Sequence, residues 1–262
     1  MISMKRFILT LLCFLCFGIA FGNEPSVVSG DYIIDDWKIY ISEEGNISIM
    51  EYKGSSENVV IPDNFDGFPV VSIGENAFQM KDVVSVTIPD SVTLIGFRAF
   101  NSCSKLKSVV IGKSVETISG GAFYNCKSLE KIVIPDSVKE IGSSAFCECE
   151  NLTSVDFGNS LEEIGNEAFE LCSNLTSVVI PDSVKDIGDD AFLNCENLTD
   201  FTIGKSLLSF DYSKIIGSQT EEPFTITLKN AGTDLINVPS SVQVIKPKAK
   251  SLREQMQERN DK

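Results

Sequence analysis

From Val83 to Phe210 the pattern of apolar and polar positions returns every 23 residues. One unit runs from Leu129 to Asn151. It opens with Leu129, and then Ile132 and Ile134 alternate with polar or small residues, the period-two pattern of a strand with one buried face. Pro135-Asp136-Ser137 follows and predicts a turn. The stretch from Ile141 through Ala145-Phe146 to Cys149 carries the chain back, and its spacing predicts a helical or 3-10 turn.

Six such units start at Val83, Leu106, Leu129, Leu152, Leu175 and Leu198. An earlier one, Val59 to Asp82, has the same landmarks with an insertion at Asn64 to Pro69. Like residues fall in columns. Phe78, Phe100, Phe123, Phe146, Phe169 and Phe192 form one, each preceded by Ala. Cys103, Cys126, Cys149, Cys172 and Cys195 form another, and Ile95, Ile118, Ile141, Ile164 and Ile187 a third. One coil cannot bury its own apolar edge, so such columns require coils stacked on one another. The strands should pair in register as one parallel sheet at about 4.8 Å spacing. A weaker 46-residue rhythm overlies the repeat. Pro follows the strand at positions 89, 135 and 181, and Gly takes that place at 112, 158 and 204.

The motif Leu-x-x-Val-x-Ile-Pro-Asp-Ser-Val-x-x-Ile-Gly-x-x-Ala-Phe-x-x-Cys resembles the BspA-like, treponemal-type leucine-rich repeat. The opening is similar too. Asp36-Trp37 to Gly54 reads as a hairpin around Glu44-Gly45-Asn46, and Val60 to Val70 resembles the usual first unit. The likeness runs from Trp37 to about Phe210, with a degenerate echo at Val238 to Ile245. It implies a leucine-rich-repeat solenoid with a parallel β-sheet on one face, short helical or 3-10 returns on the other, and an N-terminal β-hairpin cap. It also implies an exported or surface protein, since several members are adhesins for host matrix proteins or other cells.

The ends of the chain set the expected organisation. Residues 1–22 read as a signal peptide, with Lys5 and Arg6 ahead of an apolar run from Phe7 to Phe21, and Ala20 and Gly22 before a cut at Asn23. The run is short for a membrane span, and no later segment is apolar enough to be one. Residues 23–58 form the N-terminal β cap, 59–210 the repeats, 211–245 a C-terminal cap, and 246–262 a charged tail with six basic and three acidic side chains. Leu252 and Met256 share a helical face there.

Composition narrows the chemistry. Net charge is −15, with 37 acidic against 22 basic residues, which disfavours a nucleic-acid partner. The chain has no His, which removes imidazole-based nucleophile systems, His-ligated zinc and imidazole proton shuttles. No carboxylate pair stands out as catalytic, so no enzyme, metal or cofactor is expected. The Cys column reads as small hydrophobes in a crowded core. Cys147 breaks the pattern, and its position suggests partial exposure and a route to a disulfide or dimer. Asn46, Asn151, Asn174 and Asn197 stand in glycosylation-type triplets, read here mainly as turn formers.

The outward strand positions are the candidate partner-binding face. They comprise Ser108, Val110, Lys131, Val133, Ser154, Asp156, Ser177, Val179 and Asp200. A rigid sheet of small residues and exposed Val is a platform of the kind solenoids offer to partners. The expected function is binding of an extracellular or surface protein, or adhesion, by a secreted or cell-surface chain. Two alternatives stand beside it: a periplasmic, structural scaffold that self-associates through Cys147 or the tail, and an inhibitor of a partner enzyme.

Overall fold

A computed structural model describes residues 29–216, 224–230, 232–238 and 240–247. The signal peptide expected at 1–22 and most of the 246–262 tail lie outside the described residues.

The fold begins with the hairpin that the sequence marks. Strands β1 (Gly30–Ile34), β2 (Trp37–Ile41) and β3 (Ile47–Tyr52) pair antiparallel in that order. Trp37, Ile39, Ile47, Ile49 and Tyr52 face inward and are buried, so the hairpin closes the apolar end of the stack. The chain then winds into coils, each contributing to two parallel sheets. The insertion at Asn64 to Pro69 forms β5 (Asn64–Phe65), which pairs antiparallel with β6 (Phe68–Ile73).

The first face is built from the strands that the sequence predicts, though in three separate ladders and not in the one sheet expected: β4 (Asn58–Val60), β7 (Ser85–Thr87), β9 (Ser108–Val110), β11 (Lys131–Val133), β13 (Ser154–Asp156), β15 (Ser177–Val179) and β17 (Asp200–Ile203). The second sheet was not anticipated. It continues from β3 through β6 to five two-residue strands: β8 (Leu94–Ile95), β10 (Thr117–Ile118), β12 (Glu140–Ile141), β14 (Glu163–Ile164) and β16 (Asp186–Ile187). The Ile column is the inward residue of each of these short strands, paired in register with its copy one coil away.

The returns after these strands are not helical, contrary to expectation. Each contains two non-helical residues with φ near +60°, four positions apart, for example Arg98 and Ser102, or Ser144 and Glu148. A helix would turn every N–H to a carbonyl four residues back in its own segment. Here the donors split between two destinations. The N–H groups of Arg98, Phe100 and Ser102 reach Gly120, Ala122 and Tyr124 of the next coil at 3.0, 2.7 and 2.8 Å. Those of Ala99, Asn101 and Cys103 close turns within their own coil. A left-handed non-Gly residue costs about 1–2 kcal/mol, and the complete satisfaction of buried donors across coils offsets it.

The Phe column lies inside this arm. Rings from Phe78 to Phe192 stack one on the next, with centroids 4.7 to 5.3 Å apart and planes within 23° of parallel. Such pairs add about 0.5–1.5 kcal/mol each beyond the area they bury. The Cys column sits against it. Cys126, Cys149, Cys172 and Cys195 each point the thiol at a Phe carbonyl of the previous coil at 3.2 or 3.3 Å. All five Cys of the column are fully buried and unpaired.

Winding continues past Phe210. Strands β18 (Ser209–Asp211) and β20 (Asp234–Ile236) pair with each other, and β17 pairs with β19 (Thr225–Leu228), which pairs with β21 (Gln243–Ile245). Where the Ala-Phe motif is lost, a short helix α1 (Tyr212–Ile215) takes over, and its Ile215 carbonyl accepts the N–H of Phe192 at 2.9 Å. Tyr212, Ile215, Ile216, Phe224, Ile226 and Leu228 supply the buried apolar surface that the repeat columns no longer provide.

Candidate functional site

Successive strand residues point to opposite sides of a sheet. In β9, β11, β13 and β15 the central Val or Ile therefore points to the core, and its neighbours point out. Ser108, Val110, Lys131, Val133, Ser154, Asp156, Ser177, Val179 and Asp200 are all exposed on one face. Val110 and Val133 are each 61% exposed and Val179 55%, an unusual amount of apolar surface for a β-branched column.

This face is not one continuous sheet. Strands pair as β4-β7-β9, β11-β13 and β15-β17-β19-β21, with the ladder open between β9 and β11 and between β13 and β15. The openings follow the 46-residue rhythm. Within a couple, the coil carrying Gly sits directly over the Pro carbonyl of the coil before. A Cβ on Gly158 would lie 2.3 Å from the Pro135 oxygen, and one on Gly204 would lie 2.0 Å from that of Pro181. The Asp after each Pro ties the couple further. Asp90 accepts the N–H of Lys113, and Asp136 that of Asn159, both at 2.8 Å. At the junction between couples the Pro lies on the other side, bringing a ring and no donor to the stacked turn.

At the β13/β15 opening the surface dips into a cleft of about 520 Å³. Val155, Phe157, Val179 and Pro181 give it apolar walls, and Asp156, Asn159, Asp182 and Lys229 its polar rim. Val155 is half-buried where its column is elsewhere buried. Asp182 is held ionised by the hydrogen bond from Lys205 at 2.7 Å and by Lys229 at 3.2 Å. Asp156 has no ion-pair partner among the described residues. The opening thus joins an apolar slot to a free carboxylate. Of these residues the sequence marked Asp156 and Val179. Phe157 was visible as a departure from Ile in its column, whereas Lys229 arrives from an irregular segment that no periodicity places.

The Cys147 reading is overturned, and the Asn residues stand in turns as expected. Cys147 is not partly exposed. It is 4% exposed, with its thiol 3.7 Å from the Glu170 carboxylate. Burial, reinforced by Glu170 and Glu148, pushes the thiol up to about 12, so it is neither accessible nor ionised at neutral pH. The Asn residues of the glycosylation-type triplets are engaged in the turn stack. Asn174 and Asn197 donate to Glu150 and Ser173 carbonyls of the previous coil at 2.9 and 2.8 Å. Among the described residues no group of three or more Cys, Asp or Glu converges as metal ligands, and no helix is long and apolar enough to cross a membrane.

A stack of short coils with two parallel sheets, a buried Phe ladder and an exposed strand face defines a leucine-rich-repeat solenoid. The profile of the BspA type Leucine rich repeat region matches residues 71–199 and 118–251 in six copies, and the chain belongs to that family. Among solved structures, a leucine-rich repeat protein of T. pallidum is 34% identical, with a TM-score of 0.63 over 67% of this chain and 85% of that one. A leucine rich cell surface protein of Faecalibacterium prausnitzii is 21% identical, with a TM-score of 0.52 over 84% of this chain and 73% of the other, a likeness of fold alone. No curated protein sequence matches the chain. Proteins of this repeat class typically mediate protein–protein interaction.

Proposed function

We propose that this chain is an exported binding protein that holds a protein partner at the cell surface or outside it, through the outer strand face. The observation that carries the reading is the β13/β15 cleft, an apolar slot beside the unpaired Asp156 on a rigid platform. A partner segment that suits it presents an apolar side chain next to a basic one. The apolar group fills the space between Val155 and Val179 and contributes about 1.5–3 kcal/mol on burial. The basic group meets Asp156, and the protein's net charge of −15 speeds the encounter with any basic surface. Export is supported by the signal-like residues 1–22 and by the repeat family, and it accords with a surface relative at the level of fold.

Two measurements test it. Protease shaving of intact cells should remove the protein before cytoplasmic markers appear; complete protection in unbroken cells would sink the surface location. Adhesion of purified protein to immobilised host extracellular matrix should fall at least tenfold in Asp156→Lys combined with Val179→Asp, with an unchanged melting curve. Undiminished adhesion by that folded variant would move the site off this face.

A further inference from the structure

The return arm carries a second feature, on a different side of the molecule from the strand face. Phe97 and Arg98 occupy positions filled in other coils by polar or acidic residues, such as Asn166-Glu167 and Asp189-Asp190. In the next coil the matching pair is Gly120-Gly121. A Cβ on Gly121, which sits at φ +62°, would lie 3.1 Å from Arg98 Cγ, and one on Gly120 would lie 3.5 Å from the Phe97 ring. Gly121 therefore lets the Arg98 side chain lie forward across the next coil, and Phe97 packs beside Gly120 at ordinary van der Waals distance. Arg98 Cζ sits 5.0 Å from the Phe97 ring centroid, a cation–π contact that holds the guanidinium in place.

Beyond these side chains lies a notch of about 330 Å³, floored by Gly120 and Gly121 and walled by Phe97, Arg98, Tyr124 and Ser143. No carboxylate lines it. Arg98 is the one arginine among the described residues, and there it forms no ion pair although the chain holds 37 acidic residues. Phe97 is 46% exposed. The Tyr124 hydroxyl is committed to Glu148 and that of Ser144, which also lines the notch, to Glu167, while the Ser143 hydroxyl has no hydrogen-bond partner among the described residues. The notch thus combines a positioned guanidinium, a half-exposed aromatic ring that Arg98 covers on one face, a free hydroxyl and a backbone floor that a ligand can approach closely.

We infer that this notch binds the ring of a carboxylate-bearing sugar, of the hexuronic acid class. A guanidinium takes a carboxylate in paired, charge-assisted hydrogen bonds. The exposed aromatic ring suits the C–H face of a pyranose, since its negative face attracts polarised C–H groups. The Ser143 hydroxyl is left for a ring hydroxyl, while the Gly120 carbonyl and the Gly121 N–H are already bonded to the Arg98 N–H and the Ser143 carbonyl. The strongly acidic protein repels polyanions, so a single terminal carboxylate fits better than a charged polymer. The site is independent of the partner face proposed above, because it lies on the return arm and uses none of the same residues.

The test is an amide NMR titration of the intact protein with D-glucuronate, D-glucose and acetate. Glucuronate should shift the Gly120 and Gly121 amides saturably at millimolar concentration, with glucose and acetate at least fivefold weaker. Arg98→Gln should weaken glucuronate at least tenfold, and Phe97→Ala at least fivefold, with thermal melts near wild type. Shifts that persist in Arg98→Gln, or no shift at the two glycines, would overturn the inference. So would acetate or a short Glu-containing peptide binding as tightly as glucuronate, since the recognition would then be of a carboxylate and not of a sugar.

Discussion

The two arms of each coil are stitched together in different ways. On the return arm the ladder runs without interruption from β6 to β16, and the coils from β8 to β16 repeat the same Ile, Ala, Phe and Cys. On the strand arm the ladder comes in runs of three, two and four strands, opened wherever a Pro coil follows a Gly coil. The uniform arm is the spine, since identical side chains covering one another leave no room for change. The interrupted arm tolerates variation at its outward positions. The interruption between β13 and β15 coincides with a concave surface that a flat, fully paired sheet lacks.

Ways to break this contrast follow in order of size. Phe146→Ala removes one ring from the middle of the stack and should cost about 3–5 kcal/mol. Because each coil rests on its neighbours, urea unfolding should also lose cooperativity as the two halves uncouple. A single sharp transition at the wild-type midpoint would show that the Phe ladder is not the spine. Gly158→Ala strikes the strand arm instead. Its new methyl meets the Pro135 oxygen and should cost about 1–3 kcal/mol. It should also open the β11/β13 couple, so the Ile134 amide, which donates to Asp156 at 2.8 Å, loses hydrogen-exchange protection. Retained protection would mean that the Gly–Pro contact does not set the pairing.

Smaller effects separate core from surface. Burial raises the Cys195 thiol to about 12, as it does that of Cys103. The folded state therefore holds these groups neutral. Their stabilising contribution is complete below the unfolded thiol value of about 8.5 and is lost as pH rises from there towards about 12. Each such thiol should lower stability by about 1.4 kcal/mol per pH unit over that window. Cys195→Ala should be less stable at pH 7 but flatter from pH 9 to 10; a parallel decline in variant and wild type would count against the thiol. Least of all should come from Lys127→Ala. It breaks the exposed ion pair with Glu150 at 2.6 Å between adjacent coils, and its melting curve should overlay the wild type in 0.15 M salt.

The sequence marked much of this architecture because a repeat presents each instruction many times. The Phe column at 23-residue spacing needs a stack, and alternation around Ile132 and Val178 orients the strand face. It misled on the return arm. Spacing from Ile141 to Cys149 is compatible with a helix, and only the neighbouring coil reveals that Phe146 and Glu148 send their N–H groups across to Ala168 and Glu170. It misled likewise on Cys147, which stands out of register in sequence yet is covered by side chains from the adjoining coil.

What the sequence by itself determined was the coil, its period, its core columns and the side of each strand that faces water. These follow from local alternation and from apolar surface that one coil cannot bury alone. Only the tertiary structure decided where the strand ladder opens, that Val155, Val179 and Lys229 meet at one cleft, and that Arg98 lies over Phe97 above two glycines. Those arrangements depend on which residue of one coil lands against which residue of the next, a distance in space of a few ångströms that no pattern along a single coil records.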